Sequence, residues 1–137
     1  MPDVFYNVSF KVNWIRPVCT NNQPYKWGAN IPGTKDAIWG QKNLIYRWIR
    51  NSDQAVAYIG KCETPLTSRI KQYIKPGPTQ EINKKVNTEQ QNLALAPKKD
   101  FLFLEYTDKV PGYNLSLKRE LLLAEALLIA LSRPYLQ

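Results

Sequence analysis

The chain of 137 residues contains no histidine. That absence removes Ser-His-Asp and Cys-His catalysis, histidine zinc sites and histidine-metal nucleases in one step. A general base here has to be a carboxylate, a lysine, a tyrosine or a cysteine. Cysteine is scarce as well. Cys19 and Cys62 are too few for a zinc site of their own. One disulfide between them is conceivable, but no secretory leader or long apolar run is recognised, so free thiols in a cytoplasmic protein are the expectation. No membrane span is expected either. Cys62 has no histidine to activate it, which argues against a catalytic thiol. Acidic residues are the minority charge, 11 Asp and Glu against 19 Lys and Arg, for a net charge of +8 and a pI near 9.5. Such an excess favours a polyanionic partner, although net charge also serves solubility.

What is present reads as one domain with an ordinary apolar fraction. Val4, Tyr6, Val8, Phe10, Val12 and Trp14 alternate with mostly polar neighbours, which predicts an N-terminal strand. From Ile15 to Lys42 periodicity disappears among Pro17, Pro24, Gly28, Pro32, Gly33 and Gly40. Trp27, Trp39 and Tyr25 interleave there with Lys26, Lys35 and Lys42. Two readings stay open: a loop laid over nucleic acid, with Lys42 and Trp39 in contact, or a loop whose tryptophans seal the core, the second slightly favoured. Further on, Gln80 to Leu95 predicts a weakly amphipathic helix, and Phe101 to Thr107 a central strand buried on both faces.

The most informative stretch runs from Asn43 to Tyr73. Leu44 to Arg50 and Ala55 to Lys61 are β-type runs joined by Asn51-Ser52-Asp53-Gln54, the pattern of a hairpin. Thr64-Pro65 then supplies a cap and a first-turn proline for a helix ending by Lys75, before Pro76-Gly77-Pro78. That helix carries Arg69 and Tyr73 on one face. Tyr46, Tyr58 and Arg69 are thereby brought together as a candidate phosphate site. Lys71, Lys75, Lys84 and Lys85 follow closely and read as a candidate basic rim for a nucleic-acid backbone.

The last helix supplies a second anchor. Asn114 or Ser116 can cap it, and it runs to about Ser132. Between Leu121 and Leu131 every residue is Leu, Ile or Ala except Glu125, which predicts a helix buried on all sides. A carboxylate fixed in such a helix costs free energy unless it is paired, protonated or bound to a cation. Glu125 is therefore read as facing a cleft, against a metal ion or an arginine; an ion pair with Arg119 or Arg133 is the plainer alternative.

The hairpin with Tyr46 in Leu44-Ile45-Tyr46 and the triplet Tyr58-Ile59-Gly60, followed by Arg69 and later by Glu125, resembles the GIY-YIG nuclease family. The first triplet lacks its glycine, replaced by Leu44; the second is intact. The resemblance covers residues 43 to 137 and implies an α/β protein of the α+β type. Its core would be a small mixed β-sheet flanked by helices, with residues 1 to 42 as an extra N-terminal strand and irregular extension packed on the same domain. It further implies a divalent-metal-dependent endonuclease, with Glu125 holding Mg²⁺ or Mn²⁺ and Tyr46 as general base. Lys61 or Arg69 would lower the Tyr46 pKa, Arg69 would pair with the phosphate, Tyr58 would orient the water and Tyr73 would support Arg69. Pro134 and Gln137 stand where the family has a proline and an asparagine, so Gln137 is a candidate amide support. The expected substrate is DNA, duplex ahead of single-stranded, with RNA left open and a dimer conceivable. Two alternatives remain: a nucleic-acid-binding module that kept the fold and lost turnover, and a basic protein-interaction domain.

Overall fold

The computed structural model describes residues 11–33 and 37–137, so most of the predicted N-terminal strand lies outside the described residues. The elements in order are a 3-10 turn at Ala37–Gly40, β1 (Leu44–Arg50), β2 (Val56–Cys62), α1 (Leu66–Ile74), α2 (Glu81–Ala94), β3 (Leu102–Thr107) and α3 (Lys118–Ser132). The hairpin forms where β-branched and aromatic residues flank a polar link. Its turn is closed by the Gln54 amide donating to the Arg50 carbonyl (2.8 Å) and by an Arg50–Asp53 ion pair. The register sets Tyr46 opposite Gly60, and the pairing shifts by a bulge between Trp48 and Ile49.

The sheet is antiparallel throughout, in the order β2-β1-β3. The central strand is therefore β1, not the 101–107 run expected in that place, although β3 is buried on both faces as expected, with Leu102, Phe103 and Leu104 all covered. Leu44, Tyr46 and Trp48 point to one face, where Leu66, Ile70 and Tyr73 of α1, Val86 and Leu93 of α2, and Tyr25 and Trp39 of the N-terminal loop pack. Ile45 and, from β2, Ile59 point to the other, against Leu121, Ala124 and Leu128 of α3. β3 reads as buried because the N-terminal loop covers its outer edge. Ile15 and Tyr106 exchange two backbone bonds of 2.9 Å, and the Trp27 amide donates to the Leu102 carbonyl. The opposite edge, on β2, is covered by the C-terminal tail. Tyr135 and Leu136 amides donate to the Val56 and Ala57 carbonyls, and both ends of the Gln137 side-chain amide bond the Ile59 backbone (3.0 and 2.9 Å). Covering both edges leaves few strand groups open to further pairing.

Three expectations need correction. α3 is not buried on all sides: Leu122, Leu123 and Leu131 are 46%, 50% and 60% exposed, because the helix rests on one sheet face and only its Leu121-Ala124-Leu128 stripe is covered. Neither Asn114 nor Ser116 caps it; Leu117 holds that position with no side-chain bond, while Asn114 accepts from the Ser116 amide and its own amide donates to Glu120. Likewise Pro65 sits at the cap of α1 rather than inside its first turn, and Thr64 makes no cap. α2 turns Val86 and Leu93 into the core and ties itself to β3 through Gln90, whose side-chain oxygen accepts from the Leu102 amide (2.7 Å).

Candidate active site

The tail stops bonding β2 at Ile59, and beyond that point the strand edge opens into a cavity of about 340 Å³. Its walls are Tyr58, Gly60, Lys61 and Cys62 from β2, Glu63 and Thr64 after it, Arg69 and Gln72 from α1, and Glu125 from α3. The site thus straddles the sheet, taking a cation from the helix on one face and a carboxylate from the helix on the other. Of the residues singled out in the sequence, Tyr58, Lys61, Arg69 and Glu125 line this cavity together, and Tyr46 and Tyr73 stand directly behind Arg69.

Tyr46 and Tyr73 are 0% exposed, and their hydroxyls share a hydrogen bond of 2.5 Å. Arg69 Nε donates to the Tyr46 oxygen (2.9 Å), Nη1 donates to Gln72 Oε1 (2.6 Å), and Nη2 reaches the Tyr73 oxygen at 3.5 Å. The guanidinium carbon also lies 5.0 Å from the Tyr73 ring centroid, a cation–π contact. These bonds fix the plane of the guanidinium and leave N–H groups for a ligand, since it has five to give. Gln72 escaped sequence reading; its spacing of three from Arg69 was the available signal.

Gly60 is a requirement of this arrangement. A Cβ built there would lie 2.4 Å from the Tyr46 hydroxyl oxygen and 2.6 Å from the ring carbon that carries it. The close pairing of Tyr46 with position 60 across the hairpin leaves space for a hydrogen only. Leu44, where the resembled motif has glycine, is in the core under α1 and does not line this cavity, so it does not narrow it.

The electrostatics depart from expectation. Burial pushes the Tyr46 phenol well above its ordinary value of 10.0 and the neighbouring Tyr73 adds to this; Arg69 pulls the other way and is outweighed. The lowered Tyr46 pKa expected of a general base is therefore corrected, and its zero exposure keeps it from water. Tyr58, the phenol on the cavity wall, is raised by burial and then by Glu125. Arg69 is shifted upward and stays charged. The Glu125 carboxyl is raised above 4.5, chiefly by desolvation; the Lys61 charge, the Lys61 backbone amide and Arg69 partly counter that. The Lys61 amide is next in the outward-facing row after Ala57 and Ile59, so the same strand edge that holds the tail also meets the carboxylate. Among the described residues Glu125 forms no ion pair, with Arg119, Arg133 or any other cation, while Lys61 pairs with Glu63 at 3.6 Å.

The remaining candidates lie elsewhere. Trp39 is 2% exposed, its indole N–H donates to the Val18 carbonyl (2.6 Å), and Tyr25 packs on it edge-on, so it cannot lie on nucleic acid; that expectation is overturned by burial. Lys71 and Lys75 are exposed at the end of α1 but do not line the cavity. Lys84 donates to the Pro78 carbonyl and pairs with Glu81, and with Lys85 it borders a different hollow on α2. Lys42 lines a larger cavity at the neighbouring end of the sheet. Gln137 does not line the cavity; its side-chain amide clamps the Ile59 backbone of β2 beside it. Cys62 is a free, buried thiol whose pKa is pushed up to about 11 by burial, consistent with no nucleophilic role. The other thiol, Cys19, is likewise free and buried in the core.

The fold and site together define a small α/β protein with a fixed guanidinium, a phenol on the cavity wall and a carboxylate outside any ion pair among the described residues, around one cavity. No family model, curated protein or solved structure matches the chain. Among the described residues no helix is long and apolar enough to cross a membrane.

Two predictions follow from this geometry. Gly60→Ala should lower the free energy of urea unfolding by about 1–3 kcal/mol, the usual cost of overpacking against groups that cannot yield. Because the folded-state pKa of Glu125 is raised, the stability it contributes is fully present below its ordinary value of 4.5 and is lost as pH rises through the folded value. In metal-free buffer at pH 7.5, Glu125→Gln should therefore unfold at a higher urea midpoint than the parent, and the difference should shrink and vanish as pH falls below the ordinary carboxyl value.

Proposed function

We propose that the cavity is the active centre of a divalent-metal-dependent phosphodiesterase acting on DNA, and that the protein is an endonuclease of the GIY-YIG type. The observation that carries this reading is the meeting of Arg69, held by Tyr46, Gln72 and Tyr73, with the unpaired Glu125 across the exposed end of β2.

A hard divalent ion suits the groups available. A single carboxylate beside open cavity space, together with waters and phosphate oxygens, is the all-oxygen set that Mg²⁺ or Mn²⁺ takes. The desolvated, unpaired Glu125 is relieved by a cation, and Glu63 on the same wall is the further oxygen donor within the cavity. Glu125 would hold the ion, which when bound supplies Lewis-acid polarisation of the phosphate and a more acidic bound water. The free Arg69 N–H groups bind non-bridging phosphate oxygens as negative charge grows on them. Tyr58 holds the attacking water by its hydroxyl. Tyr46 acts by positioning: its oxygen fixes Arg69 Nε, and its sealed phenol keeps its proton throughout. The Lys61 charge favours the ionised form of Glu125 against desolvation and makes the cavity attractive to phosphate. The new bond joins water oxygen to phosphorus as the bond from phosphorus to the leaving oxygen breaks; the proton shed by the attacking water passes to solvent, and the leaving oxygen takes one from solvent to end as a hydroxyl.

A second reading, a nucleic-acid-binding module without turnover, has one feature in its favour: burial shifts both phenols away from deprotonation. Nicking of supercoiled plasmid separates the two. With Mg²⁺ or Mn²⁺ the parent is expected to nick or cut, EDTA to stop it, Glu125→Ala to abolish it, and Arg69→Ala to slow it by about 10²–10³-fold. A parent inert on plasmid and on single-stranded DNA would leave the binding module in place of the enzyme. Equal cutting by Glu125→Ala would remove the assignment of Glu125.

A further inference from the structure

A cavity of about 940 Å³ lies beside the candidate active site at the same end of the sheet. The two are neighbours across a single rung: the Asn43 amide, on the wall of the larger cavity, donates to the carbonyl of Cys62, on the wall of the smaller (2.8 Å). Lys11, Lys42 and Lys109 line the larger cavity with one opposing carboxylate, Asp108. All three lysines are exposed and, among the described residues, none is in an ion pair.

Two of its walls are rigidly built. The Thr107 hydroxyl donates to the Lys109 carbonyl (2.8 Å) and accepts from the Lys109 amide (3.2 Å), pinning that lysine's backbone. A tight turn follows, closed by the Tyr113 amide on the Val110 carbonyl (3.0 Å) and made by Gly112 at φ 84°, which only glycine adopts freely. The turn sets the half-buried ring of Tyr113 on the cavity wall.

Unpaired lysines around a concavity attract a chain of phosphates, and a fixed aromatic ring offers a stacking face to any base. A hollow suits an unpaired strand, whose bases can turn inward; a duplex keeps its base faces stacked and offers none to an aromatic ring. We infer that this cleft binds the single-stranded nucleic acid flanking the scissile phosphate, with Lys11, Lys42 and Lys109 on phosphates and Tyr113 stacked on a base. The inference rests on the nuclease reading for the position of the scissile bond, but binding can be measured without cleavage. The substrate class is then a DNA with an unpaired stretch beside the cut.

The test is fluorescence anisotropy of a labelled oligo(dT) 12-mer in EDTA buffer, with thermal midpoints showing that each variant is folded. Lys42→Glu combined with Lys109→Glu should weaken binding at least tenfold at about 0.1 M salt. It should also reduce the slope of log affinity against log salt by about 1.4, at roughly 0.7 per lost phosphate contact on a single strand. Tyr113→Ala should weaken binding about tenfold, by loss of stacking. A parent that does not bind the oligonucleotide, or folded variants within twofold of it, would overturn the inference. So would a duplex that binds more tightly than the single strand and is indifferent to Tyr113. An inert parent in the plasmid assay that still shows these anisotropy losses would sink the nuclease reading and leave the cleft standing.

Discussion

The close approach of Tyr46 to Gly60 is the contact on which the site depends. A phenol reaching across the hairpin over a residue with no Cβ can bury its ring in the core and still bring its oxygen to the far end of the sheet. There it meets Tyr73 from α1, and the two hydroxyls satisfy one another in a place closed to water. Arg69 then has a fixed acceptor, and a charge that would otherwise sweep a large volume is held in one plane. Preorganised donors of this kind are worth most where charge is to be stabilised, because no reorganisation is needed when it appears.

The second constraint is the narrowness of the sheet. With three strands among the described residues, the β2 edge lies at the rim of the sheet, and a helix on either face can send a side chain around it. The C-terminal tail covers that edge as far as Ile59, leaving the outward-facing Lys61 amide for Glu125. A half-buried carboxylate without an ion pair is a cost the fold carries at this point. Costs retained at one solvent-accessible spot, beside a fixed arginine, are what a ligand site requires.

The elements that sequence reading placed well were those whose signals are local. The hairpin, α1 before Pro76, α2 and the span of α3 all follow from turn-formers, prolines and apolar spacing. Arg69 and Glu125 were legible because a cation one turn before Tyr73 and a lone carboxylate among leucines are conspicuous in any sequence. What was hidden depends on partners far along the chain. β3 looked central because the loop at Ile15 and Trp27 hides its edge, a pairing that no periodicity records. Trp39 left two readings open, and burial with bonds to the Val18 carbonyl and the Thr67 hydroxyl decides for the core-sealing one. Composition made α3 look buried all round, although a three-stranded sheet can cover only one of its faces. The sealing of Tyr46 follows from a cross-strand distance, which residue types alone do not express.

The most direct test of the central claim, that Glu125 holds a divalent ion in this cavity, is titration of Mn²⁺ followed by electron paramagnetic resonance. One ion bound per chain in the parent and none in Glu125→Gln, with the variant folded, is the predicted result. Equal binding by parent and variant, or none by the parent, would contradict it.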